Sequence, residues 1–173
     1  MGIVLFGAIL LVVLLLVLVV FLPNVVQYSE EIVVNAPIDQ VYDNIRWQEK
    51  LMQWSAWPEA TGATCSVENT DGGIGARTVF FNEGKRFGHQ EIIGLKPNAK
   101  VSMTLVDDGP LKHTPYLDFD LSALSDTQTE VTLRFNNTYH RPFHVPAKLF
   151  GVVKWVRDLQ IKDLEGLKMY SES

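Results

Sequence analysis

The first 22 residues constrain this chain most, because they carry no charged or polar side chain. A helix rises about 1.5 Å per residue, so about 20 apolar residues cross a bilayer core of about 30 Å. Pro23 and Asn24 follow, and proline cannot continue a helical hydrogen-bond ladder. The sequence therefore predicts a transmembrane anchor at residues 1–23, a short stalk at 24–28, and a domain at 29–173.

A cleaved signal peptide is the alternative for this segment. Such a peptide has a basic start, a shorter apolar core and a cleavage site with small residues. Here no Lys or Arg precedes Arg46, and the long run is followed by Pro23-Asn24-Val25-Val26. These features favour a retained single-pass anchor in the cell membrane. Only the α-amino group is positive near the segment, which favours a domain outside the cytoplasm.

The composition of the domain excludes several classes of protein. A net charge of -5 argues against nucleic-acid binding, which needs a basic surface. The single cysteine, Cys65, excludes a disulfide scaffold. A body of about 150 residues is long enough to bury a core without such cross-links.

Short apolar runs separated by turn residues predict a mainly antiparallel sheet. Residues 28–36 are expected to form a strand, Asn35 to cap a helix that opens at Pro37, and a second short helix to run from Glu49 to Trp54. Alternating residues such as Leu117, Phe119 and Leu121 indicate strands with one buried face. Further strands are predicted at 63–69, 75–82, 86–95, 100–107, 116–124 and 129–139.

A 3.6-residue period after Pro146 predicts one long helix over residues 147–170. Such a helix must bury its apolar stripe against a partner, and a sheet with one apolar face is suitable. The predicted fold class is α+β, in which a curved antiparallel sheet of about seven strands wraps round the C-terminal helix, with two short helices after strand 1. The stripe comprises Leu149, Val153, Val156, Leu164 and Leu167.

This order of elements resembles the helix-grip fold of the START-related SRPBCC superfamily, and in detail its polyketide cyclase/dehydrase-like, membrane-anchored bacterial type. The resemblance rests on VNAPIDQVYDNI, the Trp54–Trp57 loop, Gly73-Ile74-Gly75, the strand GHQEIIGLKPN and the terminal DLEGLKMY. It covers nearly all of residues 29–170. It implies a cavity between sheet and helix that accepts a hydrophobic small molecule, but it implies no particular reaction.

Period-2 alternation in RFGHQEII places Phe87, His89, Glu91 and Ile93 on one face. If this face points inward, His89 and Glu91 would enter the cavity as an acid/base pair. The alternative is that Gly88, Gln90 and Ile92 point inward instead.

Other polar residues follow apolar positions into the predicted cavity. Asn137 and Tyr139 continue the inward face of the last strand, and Gln160 interrupts the apolar stripe of the C-terminal helix. Arg157 and Asp163 lie near the edges of that stripe, and Trp57 would lie at the cavity mouth or pack beneath the helical pair. The ligand-binding candidates are therefore His89, Glu91, Asn137, Tyr139, Gln160, Arg157 and Trp57.

No catalytic residue, metal or cofactor is assigned. The four-residue spacing of His140 and His144 suits zinc only when both lie on one face of a helix. Pro142 lies between them and argues against such a helix. The predicted function is non-covalent binding of a hydrophobic small molecule or lipid beside a membrane. A cyclase-like or dehydratase-like enzyme using the same cavity, and an interaction or scaffold domain with a filled interior, remain alternatives.

Overall fold

A seven-stranded antiparallel sheet and a long C-terminal helix organise the domain. The computed structural model describes residues 2–108 and 114–173. The elements are α1 (Gly2–Phe21), β1 (Val25–Val34), α2 (Ile38–Arg46), α3 (Gln48–Trp54), α4 (Trp57–Thr61), β2 (Thr64–Glu68), β3 (Arg77–Asn82), β4 (Lys85–Lys96), β5 (Lys100–Asp107), β6 (Tyr116–Ser125), β7 (Gln128–Thr138), α5 (His144–Leu149) and α6 (Val152–Ser171).

The strand order is β1-β7-β6-β5-β4-β3-β2, so the first strand of the domain pairs with the last. The β1–β7 ladder runs from Val25 opposite Thr138 to Val34 opposite Thr129. Residues 25–28 already belong to β1, so the predicted stalk at 24–28 is wrong. Since α1 ends at Phe21, only residues 22–24 separate it from the sheet.

The alternation seen in the sequence sets the buried face of the sheet. Leu117, Phe119 and Leu121 of β6 are buried, and so are Val131 and Leu133 of β7. Their neighbours in the chain point to the opposite face. The apolar face packs against α2, α3 and α6, which confirms the predicted helix-grip α+β fold.

The C-terminal helix is broken where the sequence predicts one continuous helix. Gly151 has φ +74, a left-handed conformation that side-chain-bearing residues rarely adopt, and it separates α5 from α6. The break removes Leu149 from the buried stripe, and this side chain is 62% exposed. Leu159, Leu164 and Leu167 instead form the buried apolar face of α6.

Close backbone contact fixes α6 against α3. A Cβ on Gly166 would lie 2.2 Å from the carbonyl oxygen of Trp54, so only glycine permits this approach. Further along α6, the side-chain amide of Asn44 donates a hydrogen bond to the Ser171 hydroxyl at 3.1 Å. These contacts hold the face of α6 that carries Gln160 over the sheet.

Two local predictions near the first helices are also wrong. Asn35 does not cap α2; its backbone and side-chain nitrogens both donate to the Glu172 carboxylate, at 2.7 and 2.9 Å. Pro37 occupies the N-cap position of α2 without a side-chain hydrogen bond. The segment after Trp54 is not only a loop, since Trp57 opens the additional short helix α4.

Candidate functional site

A cavity of about 330 Å³ lies between the inner face of the sheet and the first half of α6. Strands β3 to β7 supply one wall and α6 supplies the other, with α4 at one side. The lining residues are Ser55, Trp57, Phe80, Phe87, Gly88, His89, Gln90, Leu105, Val106, Asp107, Pro115, Leu117, Phe135, Asn137, Tyr139, Val152, Trp155, Val156, Gln160 and Asp163.

Aromatic rings form one side of the cavity. Phe80 and Phe87 stack with ring centroids 6.0 Å apart. Trp57 lies 6.3 Å from Phe80 and 5.6 Å from Trp155, so it bridges the sheet and α6. These large apolar surfaces favour an apolar ligand body.

Three polar atoms of the lining are buried without a hydrogen-bond partner among the described residues. They are Oδ1 of Asn137, Oε1 of Gln160 and Nε1 of Trp57. Buried polar groups normally find partners, because an unpaired one loses its hydration without compensation. Two acceptors and one donor of this kind therefore form a polar region that a ligand can satisfy.

Tyr139 belongs to the same polar region. Its hydroxyl is hydrogen-bonded by the side chain of Asn137. Burial raises the pKa of Tyr139 above its ordinary value, and the hydrogen bond from Asn137 partly opposes that rise. The phenol therefore stays neutral at pH 7 and remains a hydrogen-bonding group.

Asp163 is an acidic residue of the cavity lining, as is Asp107. It is half-buried as a whole residue, but its carboxyl group is enclosed by protein, and this desolvation raises its pKa to about 6. Its Oδ1 accepts hydrogen bonds from the Ser55 hydroxyl at 3.0 Å and from the Ala56 amide at 2.6 Å. These two bonds favour the ionised form and limit the rise. The group thus changes protonation near neutral pH.

His89 and Glu91 do not form an acid/base pair inside the cavity. Their neighbour Gln90 points inward, where its Nε2 lies 2.8 Å from Sδ of Met103. The His89 ring therefore points to the outer face, and the residue borders the cavity through its backbone. On that face Nε2 of His89 lies 3.7 Å from Glu91, which also bonds Arg77 at 2.8 Å.

The His89 ring is neutral at pH 7. Burial, followed by the positive charges of Arg86 and Arg77, lowers its pKa below the ordinary value. Arg86 lies 2.8 Å from Nδ1, and because a guanidinium only donates, Nδ1 must accept. The outer-face cluster is therefore a set of ion pairs around a neutral imidazole.

A bulge explains why β4 turns Gln90 inward, which is the alternative that the sequence left open. Phe80 pairs with Gly88 and Phe81 pairs with Arg86, so Phe87 is an extra residue without a partner. Phe87 does line the cavity, as predicted, but the period of two does not continue from it to His89. A second irregularity leaves Ile93 unpaired, and its side chain is 42% exposed.

Five of the seven predicted ligand-binding residues border one cavity. Trp57, Asn137, Tyr139 and Gln160 do so together with His89, which contributes its backbone. Arg157 lies outside it. Its guanidinium bonds Glu30 of β1 and lies 5.4 Å from the centre of the Tyr28 ring. The stripe-edge position of Arg157 in the sequence thus corresponds to an exposed ion pair.

Two histidines with zinc-like spacing lie in different environments. His140 is exposed, whereas His144 is fully buried at the start of α5.

Cys65 is half-buried in β2, and burial raises the pKa of its thiol. A raised thiol pKa opposes the formation of a nucleophilic thiolate.

Two lining residues with useful chemistry were not among the predicted candidates, although the sequence placed Asp163 at the edge of the apolar stripe. Asp163 follows Gln160 by three positions, so both lie on one side of α6, and this spacing was an available signal. Gln90 was visible only as the alternative face of β4. The Gln90 side chain points inward because of the bulge at Phe87, which the sequence pattern does not reveal.

Residues 35–144, which begin directly after β1 and include β2 to β7, match the family model described as "Activator of Hsp90 ATPase homolog 1-like protein". The chain belongs to this family. The match confirms the resemblance to the SRPBCC superfamily stated from the sequence. No match was found among curated proteins.

Several solved structures share the fold of this chain. Protein CV1439 from Chromobacterium violaceum is 17% identical with a TM-score of 0.62, covering 87% of this chain and 98% of its own. Norcoclaurine synthase from Thalictrum flavum, solved with dopamine and hydroxybenzaldehyde, is 13% identical with a TM-score of 0.60, covering 84% and 85%. The di-domain ARO/CYC StfQ from the steffimycin biosynthetic pathway is 15% identical with a TM-score of 0.62, covering 86% and 52%. At these identities the likeness shows the fold alone.

Proposed function

We propose that this protein binds a small apolar molecule bearing a hydroxyl or amine group, and that α1 anchors it in a membrane. The observation that carries the proposal is the cavity of about 330 Å³ with unpaired oxygens of Asn137 and Gln160 in its wall. An interaction domain would need a filled interior, so the open volume argues against that alternative.

The size of the cavity limits the ligand. Ligand sites commonly measure about 300–1,000 Å³, and this cavity lies at the low end of that range. The two acyl chains of a phospholipid do not fit such a volume. A compact ring system or one short chain is the better occupant, with its apolar part against Phe80, Phe87 and Trp155.

The unpaired atoms define the polar part of the ligand. Carbonyl oxygens of Asn137 and Gln160 require a donor, and Nε1 of Trp57 requires an acceptor. A hydroxyl group can do both. An amine satisfies the two oxygens and also suits Asp163, whose carboxyl ionises within the same cavity above about pH 6.

The membrane part of the proposal rests on α1. Gly2–Phe21 is long and apolar enough to cross a bilayer, and none of it is buried in the protein. A signal sequence can also be long and apolar enough to form such a helix. We favour an anchor because Arg141 donates hydrogen bonds to the carbonyls of Val19 and Val20, which ties α1 to the folded domain. The prediction that the domain lies outside the cytoplasm stays a prediction.

The ligand can be identified by comparing the molecules extracted from a protein with an open cavity and from one with a filled cavity. Full-length wild type and a Leu105→Trp variant, whose indole would occupy the cavity, are purified in parallel in lipid nanodiscs. Organic extracts of both are then compared by mass spectrometry. Lipids around α1 appear in both extracts, whereas the cavity ligand should appear only in that of the wild type.

Two further variants control this comparison. Glu91→Gln alters the outer face of β4 and should retain the ligand, whereas Gln160→Leu removes one unpaired oxygen and should retain less of it. Thermal unfolding verifies that each variant is folded. Identical extracts from the wild type and the folded Leu105→Trp variant would refute binding in this cavity.

A second candidate function is acid/base catalysis by Asp163. A carboxyl group with a pKa of about 6 inside an apolar cavity can hold and release a proton near neutral pH. This arrangement replaces the pair of His89 and Glu91 expected from the sequence. A cyclase-like or dehydratase-like reaction needs such a group beside its substrate.

The Asp163→Asn variant separates the two functions. If the protein only binds, the wild type and this variant should yield the same extracted molecule. If it catalyses a reaction, the variant should yield an unreacted molecule that wild-type protein converts when the two are mixed. The absence of any conversion would exclude catalysis of that molecule.

A further inference from the structure

Apolar side chains are exposed together at the corner where α5 meets α6. Phe150 is 83% exposed and Leu149 is 62% exposed, at the tip formed by Gly151. Three residues close to them in the chain are also exposed, namely Phe143 (48%), Val152 (42%) and Trp155 (45%). We call these five residues the apolar corner. Exposed apolar clusters on a domain usually mark a contact with a protein or a membrane.

The corner is attached to the end of α1. Nη1 of Arg141 lies 2.9 Å from the Val19 carbonyl oxygen and 3.2 Å from that of Val20. The Lys148 ammonium donates to the Pro23 carbonyl oxygen, and α5 packs against α1. The corner therefore lies at the level of the last turn of α1.

The length of α1 sets that level relative to a bilayer. Its 20 residues span about 30 Å at about 1.5 Å per residue, which equals the thickness of the hydrocarbon core. If α1 crosses the membrane, its last turn lies at the boundary between acyl chains and head groups. Arg141 and Lys148 would then lie at the depth of the lipid phosphates, where cations are favoured.

We propose that the apolar corner inserts into the interfacial layer of the membrane that α1 spans, so that the cavity opens toward lipid. Val152 and Trp155 belong both to the corner and to the cavity wall, and both are exposed. The mouth they border would face the acyl chains, and an apolar ligand would pass between bilayer and cavity without crossing water. This inference rests on the anchoring part of the proposed function.

The position of the corner can be measured with single labels. Cys65 is the only native cysteine, so a Cys65→Ser background accepts one new cysteine at a time in the full-length protein. Phe150→Cys and Phe143→Cys report on the corner, Leu10→Cys reports on the anchor, and Asp126→Cys in the exposed β6–β7 turn serves as the aqueous control.

Each labelled protein is reconstituted into vesicles of phosphatidylethanolamine and phosphatidylglycerol. A fluorescent label is then exposed either to a quencher attached to the acyl chains or to a quencher dissolved in water. We expect the labels at 150 and 143 to lie about 5–10 Å deep in the interface, as for other interfacial segments. Lipid quenching should be strong at positions 10, 143 and 150 and weak at 126.

The outcomes distinguish this inference from the proposed function. If position 10 is quenched by lipid while 143 and 150 are quenched from water, the corner does not insert, although the anchor does. If position 10 is quenched from water, the anchor and the inserted corner are both refuted. A label at 150 that neither quencher reaches would indicate a protein partner and would overturn the inference. Binding in the cavity is tested separately by extraction.

Discussion

Replacing Asp163 with asparagine should stabilise the protein, and more so as the pH rises. The native carboxyl has a pKa of about 6, against 3.8 for an exposed aspartate, because it is desolvated in the cavity wall. Asparagine has nearly the same shape and cannot ionise. Its Oδ1 can still accept the hydrogen bonds that Ser55 and Ala56 donate to Asp163.

The sign follows from the protons bound in each state. Below pH 3.8 the carboxyl is protonated in both the native and the unfolded chain, and it has no effect on the pH dependence. Between 3.8 and about 6 the native state holds a proton that the unfolded chain has lost, so stability falls as the pH rises. Above about pH 6 both states are ionised and the loss stays constant.

The magnitude comes from the width of this interval. Each pH unit within it costs about 1.4 kcal/mol, so the full cost at pH 8 is about 3 kcal/mol and that at pH 4.5 is about 1 kcal/mol. Asp163→Asn avoids both costs. The stabilisation of the variant relative to the wild type should therefore grow by about 2 kcal/mol between these two pH values.

The assay is urea unfolding of the full-length protein in nanodiscs, followed by tryptophan fluorescence at pH 4.5 and pH 8. Comparing the variant with the wild type at each pH removes the contributions of other titrating groups. Asp158→Asn is the matched control, because Asp158 lies on the same helix and is exposed in a pair with Lys154. A difference that is constant with pH, or that shrinks as the pH rises, would show that the Asp163 carboxyl is not desolvated.

Three further substitutions test the packing and the cavity by the same unfolding measurement. Gly166→Ala should lose about 1–3 kcal/mol despite the better helix propensity of alanine, because its Cβ would meet the Trp54 carbonyl oxygen at 2.2 Å; unchanged stability would mean that the helices separate easily. Thr78→Val should cost about 1–3 kcal/mol, because it removes the 3.0 Å hydrogen bond to buried Gln48, and a neutral result would contradict that pairing. Gln160→Leu should stabilise the ligand-free protein by about 1–2 kcal/mol, since it removes an unpaired buried oxygen, whereas a loss of stability would indicate that the oxygen has a partner.

Sequence patterns predicted the buried face of a strand correctly where apolar and polar residues alternate without interruption. The strands β6 and β7 alternate over the positions used in the prediction, and all six residues assigned to the inward face are buried: Leu117, Phe119, Leu121, Val131, Leu133 and Phe135. The same alternation continues through Asn137, because the β1–β7 ladder has no irregularity up to the end of β7 at Thr138, and Tyr139 directly after it also lines the cavity. Asn137, Tyr139, Gln160 and Trp57 therefore line the cavity, whereas their role in binding a ligand stays a prediction.

The errors arise where one residue changes the local geometry. The extra residue Phe87 changes which side chains of β4 point inward after it. Apolar alternation does not reveal this bulge, because the Phe87 side chain itself still points inward. Gly151 similarly ends a helix whose apolar period continues through it. In that case the left-handed conformation, rather than hydrophobicity, determines that Leu149 is exposed.

The cavity contains polar groups that reduce stability, and their position in its wall supports a binding role. A structural core would replace Gln160 and Asp163 with apolar residues, since an unpaired oxygen and a desolvated carboxyl both disfavour folding. Elsewhere in the core the buried Gln48 and Thr129 have hydrogen-bond partners. Polar groups that are costly in the empty protein become favourable when a ligand pairs with them, because binding then recovers the lost hydrogen bonds. Gln160→Leu should therefore have opposite effects on stability and on ligand retention, whereas a side chain with only a structural role would change both in the same direction.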